Sequence, residues 1–490
     1  MTDILMLLAI LLPLAGGAIL PLCRFKTRHA LHGAVLAVLV LEAAAVTALL
    51  FSAPSELTLL RMTDALVLAL KMDGISRLFL AIAAYGYLLS AIYAFRYLEH
   101  SGRETSFFSF FLLSLGALAG MDLAKNLITL YLCFELLTLL SMPLVLHDRT
   151  QASIRAALKY LFYSVAGAFL GLCAIFFLAQ YATTLDFQTG GALDPARFAG
   201  HEGQLRVVIF LGVLGFGAKA GLYPLHGWLP TAHPVAPAPA SAILSGIIAK
   251  AGVLAILRLI YFSVGPTFLA GTWVQTAWLS LALLTVFMGS MMAYREKVLK
   301  KRLAYSTVSQ ISYVLTGLFL LTPEGMVGGL LHVVFHATIK LCLFMAAGSI
   351  IFNTGKTRVD ELRGYGKLMP ITFWAYTVAS LALIGIPPAS GFVSKWYLAS
   401  GALNSGLPVF SWLAPVILLI SALLTAGYLL PISIDGFFPG RDFQTPDKRS
   451  PEGGWIMWGP IVLLSALTML LGLFSAPLVS AVRALAATLF

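Results

Sequence analysis

Apolar residues run in long, nearly unbroken blocks from one end of the chain to the other, parted by short polar stretches. Blocks of about 18 to 25 residues match the length a helix needs to cross a bilayer. About fourteen are readable, starting near Leu5, His32, Phe79, Phe107, Leu127, Leu158, Val207, Ser241, Thr272, Leu303, Met326, Met369, Ser411 and Trp455. The pattern predicts an all-α polytopic membrane protein, with residues 1–490 as a single membrane domain. Helices 1–3 fall in 1–105, helices 4–8 in 106–265, helices 9–13 in 270–432 and helix 14 in 454–490. The run from Leu5 to Leu22 lacks a basic leader and a small-residue cleavage pattern, so a first span is expected rather than a signal peptide. The longest loops are expected at Thr183–Gln204 and Gly436–Gly453, neither of them large enough for a soluble domain.

Two spans carry internal breaks. The seventh reads Gly217-Ala-Lys-Ala-Gly-Leu-Tyr-Pro-Leu-His-Gly-Trp-Leu-Pro230, and the twelfth reads Gly385-Ile-Pro-Pro-Ala-Ser-Gly-Phe-Val-Ser-Lys395-Trp. Proline removes a backbone donor and clashes with the preceding turn, so both helices should unwind there. Such a break survives at membrane depth only where protein or water satisfies the freed groups. Interrupted helices at corresponding places point to inverted repeats with an ion site at each break. Helices 4–8 and 9–13 are the expected repeats, which makes spans 7 and 12 counterparts.

Charged residues stand inside these apolar runs. Glu135 is near the middle of span 5, Lys219 just ahead of the first break, Lys250 halfway along span 8, and Lys395 just after the second break. A bare charge at bilayer depth costs about 3 kcal/mol or more on insertion scales, so such residues usually serve function. Glu135 and Lys219 are natural partners, because opposite charges offset each other's desolvation. The bland reading of Lys219 is a side chain snorkelling to the interface, and that of Glu135 is a packing carboxylate bonded to a hydroxyl. His332, His336 and Lys340 recur at four-residue spacing and share one helix face. Three titratable groups in a row favour a proton relay. A metal site there is the weaker alternative, because no third ligand is obvious. His226 and His233 flank the first break and either line a water path or cap backbone groups. Asp73, in Lys71-Met-Asp-Gly-Ile-Ser76, is expected as a helix-entry cap.

Composition agrees: 59% of residues are hydrophobic and only 11% are charged. The net charge of +11 does not indicate nucleic acid, because the basic residues are scattered over short loops. Loops after odd-numbered spans hold about 20 Lys and Arg and those after even-numbered spans about 7, which puts both termini on the non-cytoplasmic side. Cys23, Cys133, Cys173 and Cys342 are far apart and form no CxxC, so neither an iron–sulfur nor a zinc cluster is expected. No Walker loop and no strand-linked GxGxxG is present. The residues therefore predict neither cofactor nor metal and no redox or hydrolytic centre, although the chain could still serve inside a proton-translocating oxidoreductase.

Several stretches taken together are similar to one family: FELLTLLSMPLVLH (134–147), KAGLYPLHGWLPTAHPVAPAPASAILSGIIAKAG (219–252), KKRLAYSTVSQISYVL (300–315), HVVFHATIKLCLFMAAG (332–348), LRGYGKLMP (362–370) and GIPPASGFVSKW (385–396). The chain resembles the antiporter-like, proton-translocating subunits shared by respiratory complex I, Mrp-type cation/proton antiporters and membrane-bound hydrogenases. The likeness covers nearly the whole chain and lies closest to mid-length types such as the D-type Mrp subunit. It implies a fourteen-helix core with two inverted five-helix repeats and broken helices 7 and 12. It also implies that Glu135 and Lys219 form a coupling pair, that Lys250 is central, that His332, His336 and Lys340 line helix 11, and that Lys395 ends the pathway. The terminal position is glutamate in some members and lysine here. The implied partners are other hydrophobic subunits of the same complex and the lipid bilayer, and the expected location is a bacterial inner membrane. Protons are the implied cargo; Na⁺ stays open, although a line of lysines does not ligate Na⁺. A Mrp-type antiporter subunit and a pump subunit of complex I or of a hydrogenase both fit. A quinone-reducing enzyme lacks redox ligands, and an inactive scaffold would gain stability by losing its buried charges.

Overall fold

A computed structural model describes residues 2–63, 66–440 and 452–490. Residues 441–451 of the expected Gly436–Gly453 loop lie outside the described residues. The helices are α1 (Thr2–Ile19), α2 (Arg28–Leu50), α3 (Gly74–Tyr97), α4 (Glu104–Asp122), α5 (Leu127–Val145), α6 (Gln151–Tyr181), α7a (Glu202–Ala220), α7b (Leu229–Val235), α8 (Ala238–Val264), α9 (Trp273–Arg295), α10 (Leu299–Phe319), α11 (Pro323–Thr354), α12a (Pro370–Ile384), α12b (Ser390–Leu403), α13 (Phe410–Phe437), α14 (Trp455–Leu473) and α15 (Ala476–Ala487). Short polar side chains start several of them. Thr27, Asp73, Asn126, Thr150 and Thr322 each accept a hydrogen bond from the backbone N–H three residues on. That contact satisfies a donor the helix cannot use itself.

Among the described residues, twelve helices are long and apolar enough to cross a membrane. The sequence reading expected about fourteen. The two others are explicable: α10 opens on Lys300, Lys301 and Arg302, and the twelfth span is cut into pieces of 15 and 14 residues. The expected break is therefore present, and so is the one between α7a and α7b. Each contains a cis X-Pro bond, Tyr223-Pro224 and Pro387-Pro388. The last run also divides, with α15 starting anew near Pro477.

Position in the bundle follows polarity. The most apolar 18-residue stretch of α8 is 100% buried and that of α11 is 94% buried, so these two helices form the centre. α6 instead turns Phe162, Phe169 and Phe176 outward, as a lipid-facing helix does. One element was not expected at all. Glu56–Arg61 and Val67–Lys71 form an antiparallel hairpin between α2 and α3. Glu56 ties it down by ion pairs of 2.8 Å to Lys71 and to Lys125.

Candidate functional site

The first break holds Lys219. α7a ends at Gly221, whose φ of +82° is the left-handed conformation glycine adopts at a helix end. Lys219 lies in that last turn, wholly buried, which rules out the snorkelling reading. Its Nζ donates to Thr138 Oγ1 at 2.5 Å and lies 4.9 Å from the Phe134 ring and 5.4 Å from the Tyr160 ring. Glu135 is half-buried on the same helix as Thr138 and accepts a 3.5 Å hydrogen bond from Tyr131 Oη. Lys219 is within electrostatic reach of Glu135, yet its amine is bonded to Thr138 and not to the carboxylate.

The second break holds Lys395, on the far side of the interruption. α12a ends at Gly385 with φ +93°. The last carbonyls of a helix lack internal partners, and here Lys395 Nζ donates to Leu383 O at 2.6 Å and Ile384 O at 2.8 Å. The amine also lies 5.1 Å from the Tyr313 ring. A Cβ on Gly385 would come within 2.9 Å of Lys395 Cδ, so the lysine stem passes only because the residue is glycine.

Between the breaks lies a connected polar line. α8 widens into a π-helical turn at Leu244–Ile248 just before Lys250, a distortion that recurs at functional sites. Lys250 Nζ donates to Ser245 O at 2.8 Å and is 2.8 Å from His336 Nδ1. The rings of His336 and His332 stack with centroids 5.9 Å apart. His332 Nδ1 reaches Ser394 Oγ at 2.8 Å, Nε2 reaches Gln310 Oε1 at 3.1 Å, and its ring stacks on Tyr313 at 5.4 Å. Tyr313 therefore contacts both His332 and Lys395. Lys340 branches off, donating to Leu303 O at 3.0 Å and Ser306 Oγ at 2.8 Å.

The structure thus brings Lys250, His336, His332 and Lys395 into one sequence of contacts, with Lys340 beside it. Lys219 joins Thr138 instead and touches none of them. His226 is half-buried and stacks on Tyr223 at 5.7 Å. His233 is fully buried, stacks on Phe344 at 4.8 Å, and has no hydrogen-bond partner on either ring nitrogen among the described residues. Among the described residues, neither histidine ring caps a backbone group. Asp73 caps α3 as expected, with Oδ1 accepting from Ser76 N at 2.8 Å. It also clamps Arg258, which the sequence reading did not single out.

Sequence reasoning also missed the uncharged partners of these groups: Thr138 beside Lys219, and Ser245, Gln310, Tyr313 and Ser394 along the line. All five lie in stretches quoted for the family resemblance. α10 carries Ser306, Thr307, Ser309, Gln310 and Ser312, all buried. A hydroxyl-and-amide run inside an otherwise apolar span was the available signal.

Chemically, an amine 2.8 Å from an imidazole nitrogen is at direct proton-transfer distance. Among the described residues, no three His, Cys, Asp or Glu side chains are grouped to hold a metal ion. The two histidines of α11 turn to different partners, Lys250 and Ser394.

Comparison with known proteins shows what the chain as a whole is similar to. The family described as NADH:quinone oxidoreductase/Mrp antiporter, TM, matches residues 124–430. NADH-quinone oxidoreductase subunit N of Desulforudis audaxviator is 33% identical over 426 residues, covering 84% of this chain and 83% of the relative. Hydrogenase-4 component B of Escherichia coli is 31% identical over 431 residues, covering 83% of this chain and 62% of the relative. In the solved Mrp complex from Dietzia sp. DQ12-45-1b, one chain superposes with a TM-score of 0.84 at 23% identity, covering 99% of this chain and 97% of that one. The last likeness concerns the fold. The chain is an integral membrane protein and belongs to the NADH:quinone oxidoreductase/Mrp antiporter transmembrane family.

Proposed function

We infer that this chain moves protons within a multisubunit membrane complex, along a buried line of Glu135, Lys219, Lys250, His336, His332, Lys340 and Lys395. The observation that carries the reading is the 2.8 Å contact between Lys250 Nζ and His336 Nδ1. It joins the two most buried helices, where unpaired charge is most costly and least expected without a use. Two-state pairing of Glu135 with Lys219 would govern whether a proton is held or passed on. In that account Lys219 leaves Thr138 and turns toward Glu135 as the carboxylate ionises. Helices α4 to α8 and α9 to α13 act as the two repeats, each supplying one break.

The test is proton flux in vesicles carrying the assembled complex, with Lys250→Ala and His336→Phe. Flux at the wild-type rate in a folded, assembled variant would sink the reading; a loss supports it.

On the kind of complex, we favour a Mrp-type cation/proton antiporter subunit, with protons as this chain's own cargo because lysines do not ligate Na⁺. A complex I-type pump subunit is the second reading, supported by the 33% identity to a NADH-quinone oxidoreductase subunit N. Affinity purification with native partners separates them: iron–sulfur proteins among the partners favour the second, and small hydrophobic subunits alone favour the first. A bacterial cytoplasmic membrane with both termini outside completes the reading. It rests on the loop charges, and impermeant thiol labelling of cysteines placed at each terminus checks it.

A further inference from the structure

The first four helices hold acids that the lysine line does not use. Glu42 on α2 is 0% exposed and Asp122 at the end of α4 is 1% exposed. None of their four carboxyl oxygens has a hydrogen-bond partner among the described residues. Ala119 and Leu123, which flank Asp122, pack with Val46 of α2 and Ala84 of α3 in one apolar cluster. The two acids thus occupy neighbouring layers, and Asp122 is within electrostatic reach of Glu42.

The other charged groups on these helices are directed elsewhere. Glu104 takes Arg28 and His32, Asp3 accepts from Ser55, and Arg77 donates to Ser52 O. Tyr87 spends its hydroxyl on Ser114 at 3.0 Å, and Cys133 on α5 is the remaining titratable group with Asp122 in reach. One cation does reach Asp122, namely Arg258 of α8. It is held in a two-point clamp by Asp73, Nη1 to Oδ2 at 2.6 Å and Nη2 to Oδ1 at 2.9 Å. Asp73 lies in the wall of a cavity of about 550 Å³, with Lys71, Gln188, Thr189, Phe262 and Thr488.

An ionised carboxylate with no donor in such a place costs several kcal/mol, and the neutral acid far less. We propose that Glu42 and Asp122 form a second proton-holding pair, outside the lysine line, that delivers to the Asp73 cavity by an exchange of partners at Arg258. In the step, the Asp122 O–H bond breaks and its proton passes to the Asp73 carboxylate. The Arg258 guanidinium leaves the now neutral Asp73 and turns to the new Asp122 carboxylate. One proton moves outward, and the summed charge of the three groups is unchanged. Glu42 stays protonated while Asp122 is charged, because two neighbouring acids in an apolar layer do not ionise together. The pair shares no residue with the proposed lysine line, so either can fail without the other.

The test is infrared difference spectroscopy of the lipid-reconstituted complex, reading the protonated-carboxyl C=O band at neutral pH. Asp122→Asn and Glu42→Gln each remove one component of that band. Asp73→Asn frees Arg258, so the Asp122 component is lost while the Glu42 component stays. Arg258→Gln keeps the Asp122 component to a higher pH than in wild type. Components that Asp122→Asn and Glu42→Gln leave unchanged show ionised acids and overturn the pair. An Asp122 component indifferent to both Asp73→Asn and Arg258→Gln overturns the exchange.

Discussion

The two broken helices place a lysine amine at nearly the same structural event and give it opposite company. Lys219 bonds a hydroxyl on another helix, Thr138, with a carboxylate on that helix one turn back. Lys395 bonds two carbonyls at the end of its own helix's first half. Carbonyls cannot take up or release protons, whereas Glu135 can. On the proposed reading the first break works as a switch between acceptors, whereas the second holds its amine on a helix end, where the dipole favours its charge. The terminal position could accordingly carry a different residue type in relatives without disturbing the first break.

The comparison breaks most visibly at Lys219. Lys219→Arg keeps the positive charge but cannot give up a proton. Proton flux should fall on the order of 100-fold, the usual weight of a positioned acid or base, while assembly is unchanged. Flux within a factor of about two of wild type would mean that Lys219 only supplies a field. Lys395→Ala should differ in kind: it leaves two helix-end carbonyls without their donor, so thermal stability in detergent drops along with flux.

The two glycines sharpen the contrast. Gly385→Ala meets positive φ and the Lys395 stem at 2.9 Å together. A loss of about 1–3 kcal/mol is expected, with reduced flux because Lys395 is displaced. Gly221→Ala meets a similar φ but only the tip of the Leu229 side chain. It should lower the melting temperature and spare most of the flux. Equal flux losses in both would show that the backbone breaks matter and the lysine placement does not.

Much of this was legible because charge stands out against apolar sequence. Glu135, Lys219, Lys250, Lys340 and Lys395 each interrupt a run, and the Gly-Pro clusters announced both breaks. Their uncharged partners were not, because a buried Thr138 or Ser394 looks like any tolerated helix hydroxyl. Only the fold shows which faces inward. The count of spans depended on length and apolarity, which the basic start of α10 and the division of the twelfth span both violate. The hairpin at Glu56–Arg61 reads as loop, since its side chains are largely exposed and show no buried face. Arg258, Glu42 and Asp122 were passed over although charged. Asp122 and Arg258 lie nearer the ends of their runs, where a charge is ordinary; Glu42 stands well inside the second run and was a legible signal that went unused.

A smaller effect probes the hydroxyl side of the first break. Thr138→Val removes the acceptor of Lys219 and keeps the shape. It leaves a buried amine unsatisfied, a cost of about 1–3 kcal/mol, so Lys219 should turn to Glu135 and flux should change by less than about tenfold. Thr138→Ser restores the acceptor and should behave as wild type. The double variant with Glu135→Gln decides whether the two acceptors compete, because competing groups give non-additive losses.

The smallest effect is expected outside the spans, at Asp73. Burial works to raise its carboxyl, but the Arg258 guanidinium clamped on it outweighs that and holds it below the usual carboxylate range. A group depressed in the folded state stabilises the protein above its unfolded value, about 4, and loses that contribution as pH falls through the folded one. Melting temperature in detergent should therefore be insensitive to this clamp at neutral pH and decline below about pH 4. Asp73→Asn should flatten that acid limb while lowering the neutral plateau. A limb unchanged by the substitution would assign the acid sensitivity to other carboxylates and leave the Asp73–Arg258 clamp as packing, with no part in setting where protons leave.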